Sequence, residues 1–176
     1  DCYNLPFTTY FYGTGEAWSL ETTIKHTGAS SMKSGSCYTS DPNYPSYSYI
    51  ETSIYGPGHL CFWWKVSCAV NSYLYLCSVG GPLPPLCIPA HISGEVDWTY
   101  VDVIIPPGLH HLQWRYEQGN QHAGSDAGWL DGVAWLPTWP ALVVRGMDNR
   151  IFYRGYDQRS EAWGSWDSMP NGATCD

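Results

Sequence analysis

The stretch Leu60-Cys61-Phe62-Trp63-Trp64-Lys65-Val66 alternates with a period of two. Successive side chains of a β-strand point to opposite faces, so Leu60, Phe62, Trp64 and Val66 share one face, and Cys61, Trp63 and Lys65 the other. The first set is wholly apolar and is expected to face a core. The second is expected to be partly exposed. The same period runs through Tyr47 to Ile54 (YSYIETSI), Ser72 to Val79 (SYLYLCSV), Val96 to Ile105 (VDWTYVDVII) and His110 to Glu117 (HHLQWRYE). These runs are rich in Tyr, Trp, Val and Ile and are bounded by Gly, Pro, Asn and Asp, the signature of strands. Gly56-Pro57-Gly58, Gly80-Gly81-Pro82 and Pro106-Pro107-Gly108 are expected to be turns between them. No helix-period segment exceeds a turn or two. The expected fold class is all-β, as a two-sheet sandwich.

Composition agrees with this. Charged residues are 14% of the 176, well below the roughly 25% of soluble domains. In their place stand 14 Tyr, 10 Trp, 18 Gly and 13 Pro, which excludes a coiled coil or helical bundle. Lys and Arg number 8 against 16 Asp and Glu, for a net charge of −8. A nucleic-acid partner is therefore not expected, since phosphate neutralisation needs a basic patch. No apolar run approaches the length that crosses a membrane as a helix, so membrane insertion is not expected either.

The seven cysteines are Cys2, Cys37, Cys61, Cys68, Cys77, Cys87 and Cys175. None forms a CxxC pair, and the histidines are not at zinc-finger offsets from them. Disulfides are therefore the expected use. A chain opening at Asp1, with no Met and no apolar leader, is what a secreted protein shows after signal cleavage, so an extracellular location is expected. Cys77 and Cys87 flank a Pro-rich tip and are well placed to bridge it. Cys61–Cys68 and Cys2–Cys37 are candidate pairs only, because spacing alone does not determine connectivity. The odd count leaves one thiol free or paired with another chain, and Cys175, near the end, is the candidate intermolecular thiol.

The composition shifts near Leu136. Residues 1–136 are expected to form the sandwich and Leu136-Pro137-Thr138-Trp139-Pro140 reads as a stiff connection, with the linker proper at 137–140. Residues 141–176 read as a β-tail with strands at Ala141 to Arg145, Ile151 to Tyr156 and Trp163 to Met169.

Two resemblances refine this. Ser53 to Val66 (SIYGPGHLCFWWKV), Gly94 to Gly108 (GEVDWTYVDVIIPPG), His110 to Glu117 and Gly124 to Val133 (GSDAGWLDGV) follow one another as in a jelly-roll module of secreted bacterial proteins, akin to MAM and concanavalin-like sandwiches. Residues from about 15 to 136 resemble that module. It commonly ends in two adjacent acids before the last Val, and here the second is Gly132. The resemblance allows a structural calcium ion, the one cofactor considered, on Glu16, Glu21, Asp126 and Asp131; residue spacing does not demand it. Residues 139–170 (WPALVVRGMDNRIFYRGYDQRSEAWGSWDSMPNG) resemble one blade of a fucose-binding β-propeller lectin. Arg145-Gly146, Asp148-Asn149 and the Trp163/Trp166 pair carry that likeness. In such lectins sugar pockets lie between blades, so the resemblance implies that Arg154, Tyr156 and Trp163 contribute half a carbohydrate site. No second repeat exists in the chain, and a lone blade cannot bury its faces.

No catalytic constellation is expected. There is no G-x-S-x-G motif and no nucleophile with a supported His. His110 and His111 should point to opposite faces of a strand. Glu95 and Asp97 share a face but read as an exposed strand start rather than a glycosidase pair. Tyr38, Tyr44, Tyr47, Tyr49 and Tyr55 are too many to be all core, and exposed rings serve sugar faces and protein interfaces alike. Two functions follow. The favoured one is a non-enzymatic extracellular subunit that assembles with copies of itself, as a ring or filament, through its tail or its edge strands. The alternative is a carbohydrate-binding, lectin-like module whose partner is a glycan.

Overall fold

A computed structural model describes residues 5–38, 46–79, 87–138, 141–148, 150–157 and 162–168. Among these the chain is all-β. The strands are β1 (Thr8–Tyr12), β2 (Thr14–Gly15), β3 (Ser19–Glu21), β4 (Ser31–Lys33), β5 (Cys37–Tyr38), β6 (Tyr47–Ser67), β7 (Tyr73–Ser78), β8 (Cys87–Ile92), β9 (Glu95–Glu117), β10 (Ala127–Pro137), β11 (Ala141–Arg145), β12 (Ile151–Asp157), β13 (Ala162–Trp163) and β14 (Asp167–Ser168).

Two strands decide the architecture. β6 has 21 residues and β9 has 23, and they pair antiparallel along nearly their whole lengths, from Tyr47↔Glu117 to Ser67↔Glu95. Each replaces two of the shorter strands expected from sequence. The expected turns at Gly56-Pro57-Gly58 and Pro106-Pro107-Gly108 are therefore corrected to bends within continuous strands. The two bends lie opposite each other, with Gly56↔Gly108 paired and the register shifting between Gly56 and Gly58. Proline cannot donate to a ladder, so paired prolines at one level interrupt it and let both strands turn together. A Cβ at Gly56 would run into the Pro106 carbonyl, so close approach of the two backbones there requires glycine. The third expected turn, Gly80-Gly81-Pro82, lies outside the described residues.

The bends divide one curled antiparallel sheet into two layers. The N-terminal half of β6 and the C-terminal half of β9 carry β1 and the hairpin β7–β8; the other halves carry β10, β4 and β3. Their inward faces form the core. Leu60, Phe62, Trp64 and Val66 are at most 2% exposed, as the period-two reading required. Phe62 of one layer meets Trp114 of the other edge to face, with ring centroids 5.4 Å apart at 89°. Leu74, Leu76, Leu112, Leu130 and Val133 complete the packing. Among the described residues no core residue lies beyond Trp135.

The cysteines depart from expectation. Cys61 and Cys68 are seven residues apart along an extended chain, about 23 Å at roughly 3.3 Å per residue, whereas a disulfide needs Cα atoms about 4.4–6.8 Å apart. Both are buried free thiols, so this candidate pair is corrected. Cys37 is likewise a free thiol, and it points at the Tyr116 carbonyl 3.6 Å away; Cys2, its candidate partner, lies outside the described residues. Burial pushes the Cys37 thiol up to about 11 and that of Cys68 upward as well. Both stay protonated at neutral pH, and the thiolate is the reactive form. Neither should react with a disulfide reagent such as DTNB at pH 8 until the chain unfolds, and counting labelled thiols with and without urea checks this. Backbone register sets Cys77 opposite Cys87 in the β7–β8 hairpin, and the Cys77 Sγ points at the Gln113 carbonyl 3.7 Å away.

The tail residues form a separate sheet. β11 pairs with β12 from Ala141↔Gly155 to Arg145↔Ile151, and β12 pairs with β13 at one end and with β14 at the other. No tail strand joins the larger sheet among the described residues.

Candidate functional site

The tail brings the three expected carbohydrate residues together. Alternation along β12 puts Phe152, Arg154 and Tyr156 on one face. Register then places Trp163 of β13 directly across from Tyr156. Their rings meet edge-on, 5.4 Å apart at 65°. The Arg154 guanidinium lies over two indoles, 4.8 Å from the Trp163 centroid and 5.2 Å from that of Trp166. Trp166 lies in the break between the short strands β13 and β14, where Gly164 N–H still donates to the Gly155 carbonyl at 2.9 Å. The sequence likeness had used Trp166 only as a marker of the repeat; its pairing in sequence with Trp163 was the available signal for a site residue.

The electrostatics of this cluster are unusual for a surface arginine. Arg154 Nε is buried and has no hydrogen-bond partner among the described residues, while Trp163 and Trp166 remain 40% and 43% exposed. A guanidinium is a rigid planar fork of donors with no acceptor, and it stacks on aromatic faces. Held against indoles, it offers directed donors beside open ring surface. That combination suits a ligand with an apolar face and adjacent oxygen acceptors. Leu142 and Val144 of β11 pair with Arg154 and Phe152 and continue the same face, 44% and 42% exposed.

The four expected calcium residues do not converge. Asp131 is fully buried on β10. Its Oδ2 accepts the His26 and Thr27 N–H groups at 2.8 and 2.9 Å, and its Oδ1 accepts the Gly132 N–H at 2.7 Å. Burial alone would raise this carboxyl, but it is held below its ordinary value, with those three amides among the causes. Asp126 instead meets His122 Nδ1 at 2.8 Å and accepts the Ala123 N–H. Glu21 accepts the Thr23 N–H at 2.6 Å, and Glu16 is exposed. Among the described residues no three His, Cys, Asp or Glu side chains form a group able to hold a metal. Asp131 accepts main-chain donors on both oxygens, and the two from His26 and Thr27 pin the 26–27 loop. Gly132, which stands where the resembled modules carry a second acid, has a φ of 58°. A Gly132→Ala variant should lose about 1–2 kcal/mol, measured by urea unfolding, because side chains are strained in that left-handed region.

The remaining polar candidates are structural. His110 is buried against the Pro106 carbonyl at 2.9 Å, while His111 on the opposite face meets Ser53 Oγ at 2.8 Å. Glu95 accepts from Ser67 Oγ and Asp97 pairs with Lys65, both at 2.8 Å on an exposed strand start. Of the tyrosine cluster, Tyr47, Tyr49 and Tyr55 are partly exposed on β6, with Ile50 and Ile54 buried on its other face. The Tyr38 side chain and Tyr44 lie outside the described residues, as does Cys175.

No family model and no curated protein matches this chain. Among solved structures, it is similar to a carbohydrate-binding module, TmCBM61, in complex with β-1,4-galactotriose. Identity is 11%, with 76% of this chain and 89% of that one covered, at a TM-score of 0.49. It is also similar to the enzymatically active domain of tailspike protein 4 of bacteriophage CBA120. There identity is 12%, with 73% of this chain and 19% of that one covered, at a TM-score of 0.44. Likeness at this level does not bear on the chemistry of the site.

Proposed function

We propose that this protein is a non-catalytic, extracellular carbohydrate-binding protein whose tail, the segment following a linker at 137–140, seats a sugar ring on Trp163 and Trp166 beside Arg154. The observation that carries the reading is the Arg154 guanidinium held over two half-open indoles with its Nε desolvated and unpaired among the described residues. Sugar C–H faces stack on such rings, and vicinal hydroxyls or a carboxylate accept from such a fork. Tyr156 braces Trp163 from the side. The expected result is glycan binding, found on a glycan array and measured by titration calorimetry, that weakens at least 10-fold in Trp163→Ala and Arg154→Ala. Absence of binding by the wild type, or equal affinity in both variants, would sink the proposal. The extracellular placement draws support from the Cys77–Cys87 register, which suits an oxidised pair. If they are bridged, mass spectrometry without reductant finds the 77–87 link, and reduction lowers stability by about 3 kcal/mol for a loop of that size.

Self-assembly remains a second reading, favoured by one observation. Leu142, Val144 and Met147 stay exposed on a small sheet to which the larger sheet contributes no strand. Light scattering of the full chain and of a chain ending at Thr138 tests it: assembly is expected in the first only. Because no core residue among the described ones lies beyond Trp135, the shortened chain should keep its melting temperature within a few degrees.

A further inference from the structure

The outer face of the layer formed by β1, β6, β9, β7 and β8 carries a second set of aromatic residues, on the body of the fold. Register lines them up in rows across the strands. One row runs Tyr12, Tyr47, Glu117 and Tyr73; the next runs Tyr10, Tyr49, Arg115, Tyr75 and His91. Tyr10 stacks on Tyr49 at 5.6 Å and Tyr12 on Tyr47 at 5.1 Å, with interplanar angles of 29° and 16°. Neighbouring strands are about 4.8 Å apart, so rings that stack from strand to strand stand upright on the sheet. Inside the layer Tyr47 is covered by Tyr12 on one side and meets the Arg115 guanidinium on the other. Among the described residues β1 pairs with β6 alone, and no ring contact is seen on the outward faces of Tyr10 and Tyr12. These two are 48% and 53% exposed.

Behind this edge the rings are locked in place by polar contacts. The Arg115 guanidinium lies 4.2 Å from the Tyr47 centroid and donates to Tyr75 Oη at 3.4 Å and Gln113 Oε1 at 3.1 Å. Tyr75 donates to Glu117 at 2.8 Å, and Gln113 donates to Glu51 at 2.8 Å. Thr8, back on β1, donates to the other Glu51 oxygen at 3.4 Å. A bound chain therefore meets rings whose positions are already set, which reduces the entropy lost on binding.

We propose that the β1 edge, through the outward faces of Tyr10 and Tyr12, binds an uncharged polysaccharide chain running along the strand. The two rings are two residues apart on one face, roughly 7 Å along the strand. They present successive platforms to a repeating ligand rather than a pocket for a single residue. The phenol hydroxyls and the outward N–H and C=O groups of an edge strand supply both donors and acceptors, which match hydroxyls. Charge disfavours the polyanionic class: Glu51 and Glu117 outnumber Arg115 on this face, and the chain carries −8 overall. The site is separate from Arg154, so either can fail without the other.

Affinity electrophoresis of the full chain through gels containing galactan, xyloglucan, mixed-linkage β-glucan or alginate tests it. At least one neutral polymer should retard the wild type, and alginate should not. Retardation should persist in Trp163→Ala and fall at least 10-fold in the Tyr10→Ala/Tyr12→Ala double variant. If the double variant does not fold by circular dichroism, Tyr12→Ala alone, which removes the more exposed ring, should lose at least 3-fold. Retardation by no neutral polymer, retardation by alginate alone, or tyrosine variants that bind like the wild type would each overturn the proposal. So would a concentration-dependent dimer that disappears in the double variant, which would make the edge a contact between two copies. Binding lost in Trp163→Ala but kept in the tyrosine variants would refute this site and leave the tail site standing.

Discussion

Trp114→Ala should lower the unfolding free energy by about 4 kcal/mol, the upper range for a large aromatic removed from a closed core. Trp114 is fully buried. It takes Phe62 edge-on at 5.4 Å and Phe7 at 6.0 Å, so one ring joins the two layers and the N-terminal segment. Each such aromatic contact is worth about 1 kcal/mol beyond the area it buries. Domains are stable by only about 5–15 kcal/mol, so the variant should unfold at markedly lower urea, with a melting temperature down by about 10 °C. Trp114→Phe discriminates the mechanism. The indole N–H is buried without a partner, so its removal leaves no group newly unsatisfied. Phenylalanine should therefore recover most of the loss. A phenylalanine variant as unstable as the alanine one would show that the indole nitrogen matters in a way the packing does not explain.

Asp131→Asn should cost about 3 kcal/mol, although it replaces a single heavy atom. The carboxylate accepts main-chain N–H groups on both oxygens. An amide offers one acceptor and turns two N–H donors toward one of those sites. A buried donor left unpaired costs about 1–3 kcal/mol, and a hydrogen bond to a charged acceptor contributes about 1.5–3. The pH dependence has a definite sign. The folded carboxyl is held below its ordinary value, so its contribution is present in full above the usual carboxylate range of about 4. It is lost as pH falls through the lowered folded value. The gap between wild type and variant should be constant from pH 5 to 7 and close in acid, as followed by urea unfolding at several pH values. A gap that widens toward low pH would contradict the assignment.

Parts of this architecture were legible in the chain alone. The alternation at Leu60 to Val66 placed four residues in the core, and all four are there. The tail strands, the Cys77–Cys87 hairpin and the opposed histidines followed from the same local rule. Glycine and proline misled the reading at Gly56 to Gly58 and Pro106 to Gly108. The same dipeptides that end a strand also bend one when a partner strand bends at the same level. Nothing near either segment announces that it faces the other. Asp131 was read as a metal ligand because a carboxylate near the end of a jelly-roll-like stretch has that use; its donors come from residues 104 and 105 positions earlier.

The distinction is one of range. Side-chain alternation, turn chemistry and composition act between residues a few positions apart. They determined an all-β chain with a separate tail sheet, low in charge and rich in rings. Which cysteines meet, which carboxylate takes main-chain donors and which tyrosines stand open at an edge depend on strand register across tens of residues. A shift of one residue reverses every face. Only the folded pairing of β6 with β9, and of β1 with β6, chose among those registers, because burying Phe62, Trp64 and Trp114 together is possible in one of them.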